Sequence, residues 1–170
     1  TDRTVFINTF PKFYGGFHNN ISYNGFQLDF LFQFVKQIGR QLLFNNGSST
    51  LPGGFNSLAS NMPEALLARW RNPGDITGIQ KFSTTQAVSR VLASDANYRD
   101  ASFVRLKTVS LSYQLPGNWI RLLHMQNSRF YLQGQNLLTF TNYQGLDPES
   151  QGGSVLPPLK MATVGIQLTL

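Results

Sequence analysis

The sequence predicts an all-β protein, an antiparallel transmembrane β-barrel segment of about five strands whose long external loops include a short helix. Three observations lead there. Five stretches alternate apolar and polar residues with a period of two, aromatic residues collect at the ends of those stretches, and the connections between them are tight on one side and very long on the other.

The two-residue period marks strands because successive side chains point to opposite faces of a sheet. Phe13, Gly15, Phe17, Asn19, Ile21 and Tyr23 alternate with Tyr14, Gly16, His18, Asn20 and Ser22. Asn24-Gly25 follows, the strongest short hairpin signal, since both residues tolerate the positive φ of a tight turn. The return strand runs from Phe26 to Ile38, with Phe26, Leu28, Phe30, Phe32, Phe34, Lys36 and Ile38 on one face and Gln27, Asp29, Leu31, Gln33, Val35 and Gln37 on the other. Ser102 to Leu115 opens with Val104 and Leu106 opposite Arg105 and Lys107, then changes phase to Val109, Leu111, Tyr113 and Leu115. A bulge near Lys107 accounts for the flip. Ser128 to Thr141 puts Phe130, Leu132, Leu138 and Phe140 on one face, with Asn136 as its misfit. The final stretch alternates most cleanly, Ala162, Val164, Ile166, Leu168 and Leu170 against Thr163, Gly165, Gln167 and Thr169.

The connections are unequal. Asn24-Gly25 is tight and Pro116 to Asn127 is modest, whereas Gly39 to Ala101 is an excursion of about sixty residues, far beyond the usual loop of a compact domain. Outer-membrane barrels pair short periplasmic turns with long external loops in this way. Inside the excursion, Asn61-Met62-Pro63-Glu64 reads as an N-cap, a first-turn proline and a capping-box acid ahead of a short helix over Ala65 to Trp70, stopped by Asn72-Pro73-Gly74. Gly47-Ser48-Ser49 and Pro52-Gly53-Gly54 read as flexible loop.

Composition narrows the class. The 170 residues contain 13% charged residues, about half the usual quarter, and 14 Phe dominate the aromatic residues. Without cysteine there is no disulfide scaffold, thiolate zinc site or thiol nucleophile. The net charge of +6 is scattered from Arg3 to Lys160, so the basic stripe that nucleic acid requires is missing and no nucleic-acid partner is expected. No apolar run reaches the roughly 18 residues of a transmembrane helix, but a transmembrane strand needs only about 9–11 with one apolar face.

Alternation alone leaves two architectures open. A soluble carbohydrate-binding β-sandwich would turn the Phe-rich face into a core, and a membrane barrel would turn it toward lipid. Strands of about ten residues or more exceed the globular mode of about 5–6, and Phe13, Tyr14, Tyr23, Phe26, Tyr113, Trp119, Phe130, Tyr131, Phe140 and Tyr143 near their ends match the aromatic girdles of a barrel.

Catalytic chemistry finds little purchase. Asp147 and Glu149 sit two apart in a Gly/Pro-bounded loop and read as a plain turn, since calcium needs six or more oxygens. His18 and His124 have no local partner at metal spacing and read as core or interface residues. Ser83-Thr84-Thr85 lacks a nucleophile elbow. The Asn20-Ile21-Ser22 and Asn46-Gly47-Ser48 sequons read as chance matches. Neither a catalytic, a metal nor a cofactor site is expected, and the chain is not read as an enzyme. Trp70, Tyr98 and Tyr143, on loops, are the candidate contacts to a substrate or a partner, because their rings can stack on sugars or on a protein surface.

Several stretches in order resemble one family: Asp2-Arg3-Thr4-Val5, Pro11 to Phe17, the Tyr23 to Leu28 hairpin, Arg69-Trp70 before Pro73-Gly74-Asp75, and Ala101 to Lys107. Leu111-Ser112-Tyr113-Gln114-Leu115-Pro116, Gly134 to Phe140, Gly145-Leu146-Asp147-Pro148-Glu149 and Thr163 to Leu170 continue the series. Together they resemble the C-terminal end of the SusC/RagA-type TonB-linked outer-membrane transporters. The resemblance implies that residues 1–170 are the C-terminal part of a large plugged barrel of the 22-stranded kind, with the plug and earlier strands lying elsewhere. It also implies a place in the bacterial cell outer membrane, contact with outer-membrane lipid, a SusD-like surface lipoprotein as lid, energy from the TonB complex through the absent N-terminal region, and import of an oligosaccharide or peptide. Residues 1–12, 39–101 and 142–160 would be extracellular. Leu170 departs from the family's usual terminal aromatic, which bears on assembly.

Overall fold

The computed structural model describes residues 4–41, 62–82, 88–122, 125–151 and 155–169. Two compact units form from interleaved segments. The first combines Pro11–Lys36, Ser102–Thr141 and Pro158–Leu170; the second combines Thr1–Phe10, Gln37–Ala101 and Asn142–Pro157.

The first unit is one antiparallel sheet of five strands. β1 (Phe13–Tyr23) and β2 (Phe26–Lys36) precede the other unit's short strands β3 (Ile38–Arg40) and β4 (Tyr98–Asp100), and β5 (Phe103–Gln114), β6 (Asn127–Thr141) and β7 (Met161–Thr169) complete the sheet in the order β1-β2-β5-β6-β7. The hairpin signal is confirmed by backbone geometry. Asn24 and Gly25 have φ of 46° and 82°, the left-handed pair that a two-residue turn joining twisted strands demands. A six-residue helix, Gly117–Leu122, fills the connection between β5 and β6.

Register aligns the apolar stripes of all the strands on one face. At the turn end Tyr23, Phe26, Tyr113, Phe130 and Ile166 lie side by side, followed by Ile21, Leu28, Leu111, Leu132 and Val164. Asn19, Phe30, Val109, Gly134 and Ala162 make the middle row. Phe17, Phe32, Leu106 and Leu138 come next, and Gly15, Phe34, Val104 and Phe140 close the series. Cross-strand pairs of this kind are the unit of sheet stability. The Phe26 and Tyr113 rings are 4.5 Å apart, and Phe17–Phe30 and Phe30–Phe32 are 6.1 and 5.8 Å apart.

The expected bulge is present. Lys107 is skipped in the pairing of β5 with β2, where Leu31 opposes Thr108 and Phe32 opposes Leu106. The misfit Asn136 is its counterpart on β6, with φ of 52° and its side-chain amide donating to the Leu159 carbonyl at 3.2 Å. Between the middle row and the next, β2 spends two residues, β5 three and β6 four. The phase change in β5 thus keeps Val104 and Leu106 on the same face as Val109 and Leu111.

This apolar face is uncovered. Val164 is 79% exposed and Ile166 58%, and buried apolar residues among those described amount to Val35, Leu66, Ala101, Phe103 and Tyr143. A β-sandwich requires a second sheet packed about 10 Å from the first; among the described residues no such layer covers the Phe-rich side of the five-stranded sheet, and the sandwich reading falls.

The second unit holds the sequence's long excursion. Its start differs from the expectation, because β2 ends at Lys36 instead of running to Ile38. Gln37 breaks the strand: it is buried, its backbone carbonyl accepts from Ala101 N at 3.1 Å, and its side-chain amide donates to the carbonyls of Ala101 (3.3 Å) and Pro148 (2.7 Å). Ile38–Arg40 then pairs with Tyr98–Asp100. The helix expected over Ala65 to Trp70 is instead a five-residue 3-10 turn, Glu64–Ala68, with Pro63 in the cap position and no side-chain cap. A segment of only about one turn favours the tighter i→i+3 pattern, seen in the Leu66 N–H on the Pro63 carbonyl at 3.0 Å. Asn61, the expected cap, lies outside the described residues, as do Gly47 to Ser49, Pro52 to Gly54 and Asn46.

Candidate functional site

The face opposite the aromatic rows is where this molecule keeps its chemistry. Alternation sends Ser22, Gln27, Ser112, Gln114, Arg129 and Gln167 to that side, and they line a polar concavity of about 490 Å³ at the turn end of the sheet. A second hollow of about 290 Å³ adjoins it, lined by Gln27, Asp29, Ser110, Tyr131 and Gln133 among others. Side chains on adjacent strands tie the surface together. Arg129 Nε donates to Gln167 Oε1 at 2.8 Å and Gln114 Nε2 to Asn127 Oδ1 at 3.3 Å.

Asp29 is the hub on the first two strands. Its Oδ2 lies 2.8 Å from His18 Nε2 and accepts from Asn20 Nδ2 at 3.4 Å. The turn dictates this: a two-residue hairpin at Asn24-Gly25 places Asn20 directly opposite Asp29, and His18 reaches it diagonally. Of the core or interface position expected for His18, the core is excluded, since its side chain is 61% exposed on the polar face. Its described hydrogen bond goes to the Asp29 carboxylate. Ser83, Thr84, Thr85 and His124 lie outside the described residues. Gly165 shows how the surface is smoothed, since the Tyr131 ring lies across it in the space a Cβ would need. Tyr131, and Tyr14 at the far end, thus lie on the polar face, opposite the aromatic rows expected to form the girdle.

The loop aromatics differ among themselves. Trp70 is half-buried, with its backbone N–H on the Ile79 carbonyl at 2.9 Å and the Lys81 ammonium 5.5 Å from its ring. Tyr98 is half-buried in β4, paired with Arg40. Tyr143 is 7% exposed, and its hydroxyl donates to the Arg40 carbonyl at 2.6 Å. Arg40 thus links two of the three rings. Burial first, then the nearby Asp147 charge, holds the Tyr143 phenol above its usual pKa, so it remains a donor. The Asp147-Glu149 pair is a turn, as expected: Asp147 Oδ1 accepts from the Glu149 and Ser150 N–H groups at 2.9 and 3.2 Å. Around Trp70 a second such turn forms, with Asp75 Oδ2 accepting from Arg71 N and Asn72 N at 2.8 and 2.9 Å.

Such a surface offers amide and hydroxyl donors and acceptors, together with the charged Asp29 and Arg129, to water or a polar solute. Comparison with known proteins decides what kind of wall it is. A TonB-dependent receptor, P3, of Formosa agariphila is 32% identical over 149 residues, 88% of this chain and 14% of its own length. Receptor P39 of the same organism is 31% identical over 92% of this chain and 15% of its own. Among solved structures, the RagAB peptide importer in its open-open state matches 98% of the chain with a TM-score of 0.78 at 29% identity.

The chain matches a stretch of TonB-dependent receptor barrel.

No family model matches it. It spans about one seventh of the curated receptors' length and 18% of the RagAB chain. The closed-closed state of the same importer gives the same TM-score of 0.78. As in that class, the strands are those of an outer-membrane β-barrel, and the relatives are receptors and an importer, not enzymes.

The strand dimensions suit that setting. An 11-residue strand such as β1 or β2 is about 34 Å long, and at a tilt of about 40° it rises about 26 Å, close to the roughly 25 Å apolar band of a barrel.

Proposed function

We propose that residues 1–170 form the C-terminal wall of the barrel domain of a nutrient importer of the bacterial outer membrane. The Phe-rich face meets outer-membrane lipid and the Gln, Ser and Thr face lines an aqueous lumen. Asn24-Gly25 and the connection from β5 to β6 are periplasmic turns; residues 1–12, 39–101 and 142–160 are extracellular. The parent chain supplies a plug and the contact with the TonB complex, and a SusD-like surface lipoprotein covers the mouth. The cargo is an oligosaccharide or a peptide. Trp70 and Tyr98 offer ring faces to cargo or lid, and Tyr143 acts through the loop it anchors at Arg40.

One observation carries this reading: the apolar rows are continuous across five strands yet uncovered, while the opposite face is polar and concave. A lone sheet with two open edges could not cross hydrocarbon, where each unpaired backbone group costs several kcal/mol, so the parent must provide the remaining strands. Fractionation of cells making the parent tests it. The protein is expected to stay in the outer-membrane pellet through carbonate washing; release without detergent ends the reading. Uptake of labelled oligosaccharides and peptides by cells with and without the gene then identifies the cargo class.

A further inference from the structure

On the lipid-facing rows between the two aromatic ends, every described side chain is apolar or glycine except one, Asn19; Asn136, in the bulge between two rows, has its amide on the Leu159 carbonyl. Asn19 stands in the middle row, four residues from the belt at Tyr23 and level with Phe30. Strand residues rise about 3.3 Å each, so the amide is about 13 Å along the strand from the nearer belt and cannot snorkel to water. Its neighbours His18 and Asn20 are satisfied by Asp29 on the other face, whereas the Asn19 side chain has no hydrogen-bond partner among the described residues. An amide moved from water to a medium without partners costs roughly 2–7 kcal/mol. Within its own sheet the adjoining position of the row is filled by Phe30, which offers no donor or acceptor.

β1 is an edge of the sheet, and the chain covers about one seventh of its curated relatives, so the free side of Asn19 faces the strand that precedes β1 in the parent. We infer that this preceding strand carries, at the level of Asn19, an outward-pointing side chain with a donor and an acceptor, and that the two form an interstrand hydrogen bond inside the bilayer. Directly opposed side chains across a ladder are about 4.5–5.5 Å apart at Cβ, within reach of an amide or hydroxyl. The inference rests on the lipid-facing orientation proposed above.

The test uses the full-length parent refolded into lipid vesicles over a urea series, together with its upstream sequence. The outward residue of the preceding strand at this level should be Asn, Gln, Ser, Thr, Tyr or His; an apolar residue there overturns the inference. Asn19→Leu, similar in volume, should lower the folded-to-unfolded ratio about 5- to 30-fold by orphaning the partner, and Asn19→Gln should recover most of it. An unchanged or raised ratio for Asn19→Leu overturns the pairing. So does an unchanged ratio accompanied by dissociation of a parent oligomer, which would give the amide to a second copy. Carbonate release of the wild-type parent would instead defeat the orientation itself, a separate failure.

Discussion

Arginine placed at three positions converts the orientation of the sheet into a measured free energy. Val109 lies in the middle row, Ile166 in the row at the turn end, and Ser110 beside Val109 on the wet face. Tyr113 marks the belt four residues from Val109, about 13 Å along the strand and about 10 Å in depth once tilted by about 40°, close to the centre of a band about 25 Å tall. An arginine at that depth costs about 2–4 kcal/mol, one near the interface about 0–1, and one in an aqueous lumen falls within about 0.5 of zero, as surface substitutions do. Val109→Arg should therefore reduce the folded fraction of the parent about 30- to 1000-fold, Ile166→Arg up to about fivefold, and Ser110→Arg about twofold or less. Refolding into vesicles across a urea gradient, read by the heat-modifiable gel mobility of the folded barrel, measures all three. Equal effects at Val109 and Ser110 would refute the assignment of faces, and a larger cost at Ile166 than at Val109 would refute the depth scale.

Three further outcomes follow from local geometry. Gly165→Val should cost about 1–3 kcal/mol by overpacking against the Tyr131 ring, and Tyr131→Ala in the same chain should recover part of it in the same refolding series. Gln37→Leu leaves the Ala101 and Pro148 carbonyls without their side-chain donor, costing about 1–3 kcal/mol; limited proteolysis should then cut the second unit's loops faster while the barrel's gel mobility is unchanged. At Asp75 the backbone N–H groups of Asn72, then Arg71, hold the carboxyl below its ordinary value of 3.8. A depressed folded pKa means that the turn's stabilisation is complete above that ordinary value and is lost as pH falls through the lower folded one. Hydrogen exchange at the Arg71 and Asn72 amides should show protection at pH 5 that fades below about pH 3.8, and Asp75→Asn should flatten the dependence.

The sheet was legible because its information is local. A period of two plus Asn24-Gly25 sets the pairing of β1 with β2 residue by residue, and with it the opposition of Asn20 and Asp29; the phase slip near Lys107 announced the bulge. The hub at Asp29 could have been read from the same turn arithmetic, which equally shows why His18 is on the wet side. The second unit was hidden for the opposite reason. Ile38–Arg40 and Tyr98–Asp100 are three residues each, too short for any period, and they are held by Gln37, whose partners lie 64 and 111 residues away. Tyr143 looked like an exposed loop ring because nothing nearby in sequence foretells its bond to Arg40. Pro63 signalled a helix start and delivered only a 3-10 turn, since too few residues follow for the α pattern to propagate.

The staggered bulge at Lys107 and Asn136 also shapes what lies above it. Across one level β2 advances by two residues, β5 by three and β6 by four, and each extra residue bends its strand and tightens the local twist. From β2 to β6 the slats are thus cut progressively longer across this seam. A deletion at Asn136 would give β6 the same three-residue count as β5 across this level and remove the amide that reaches the Leu159 carbonyl.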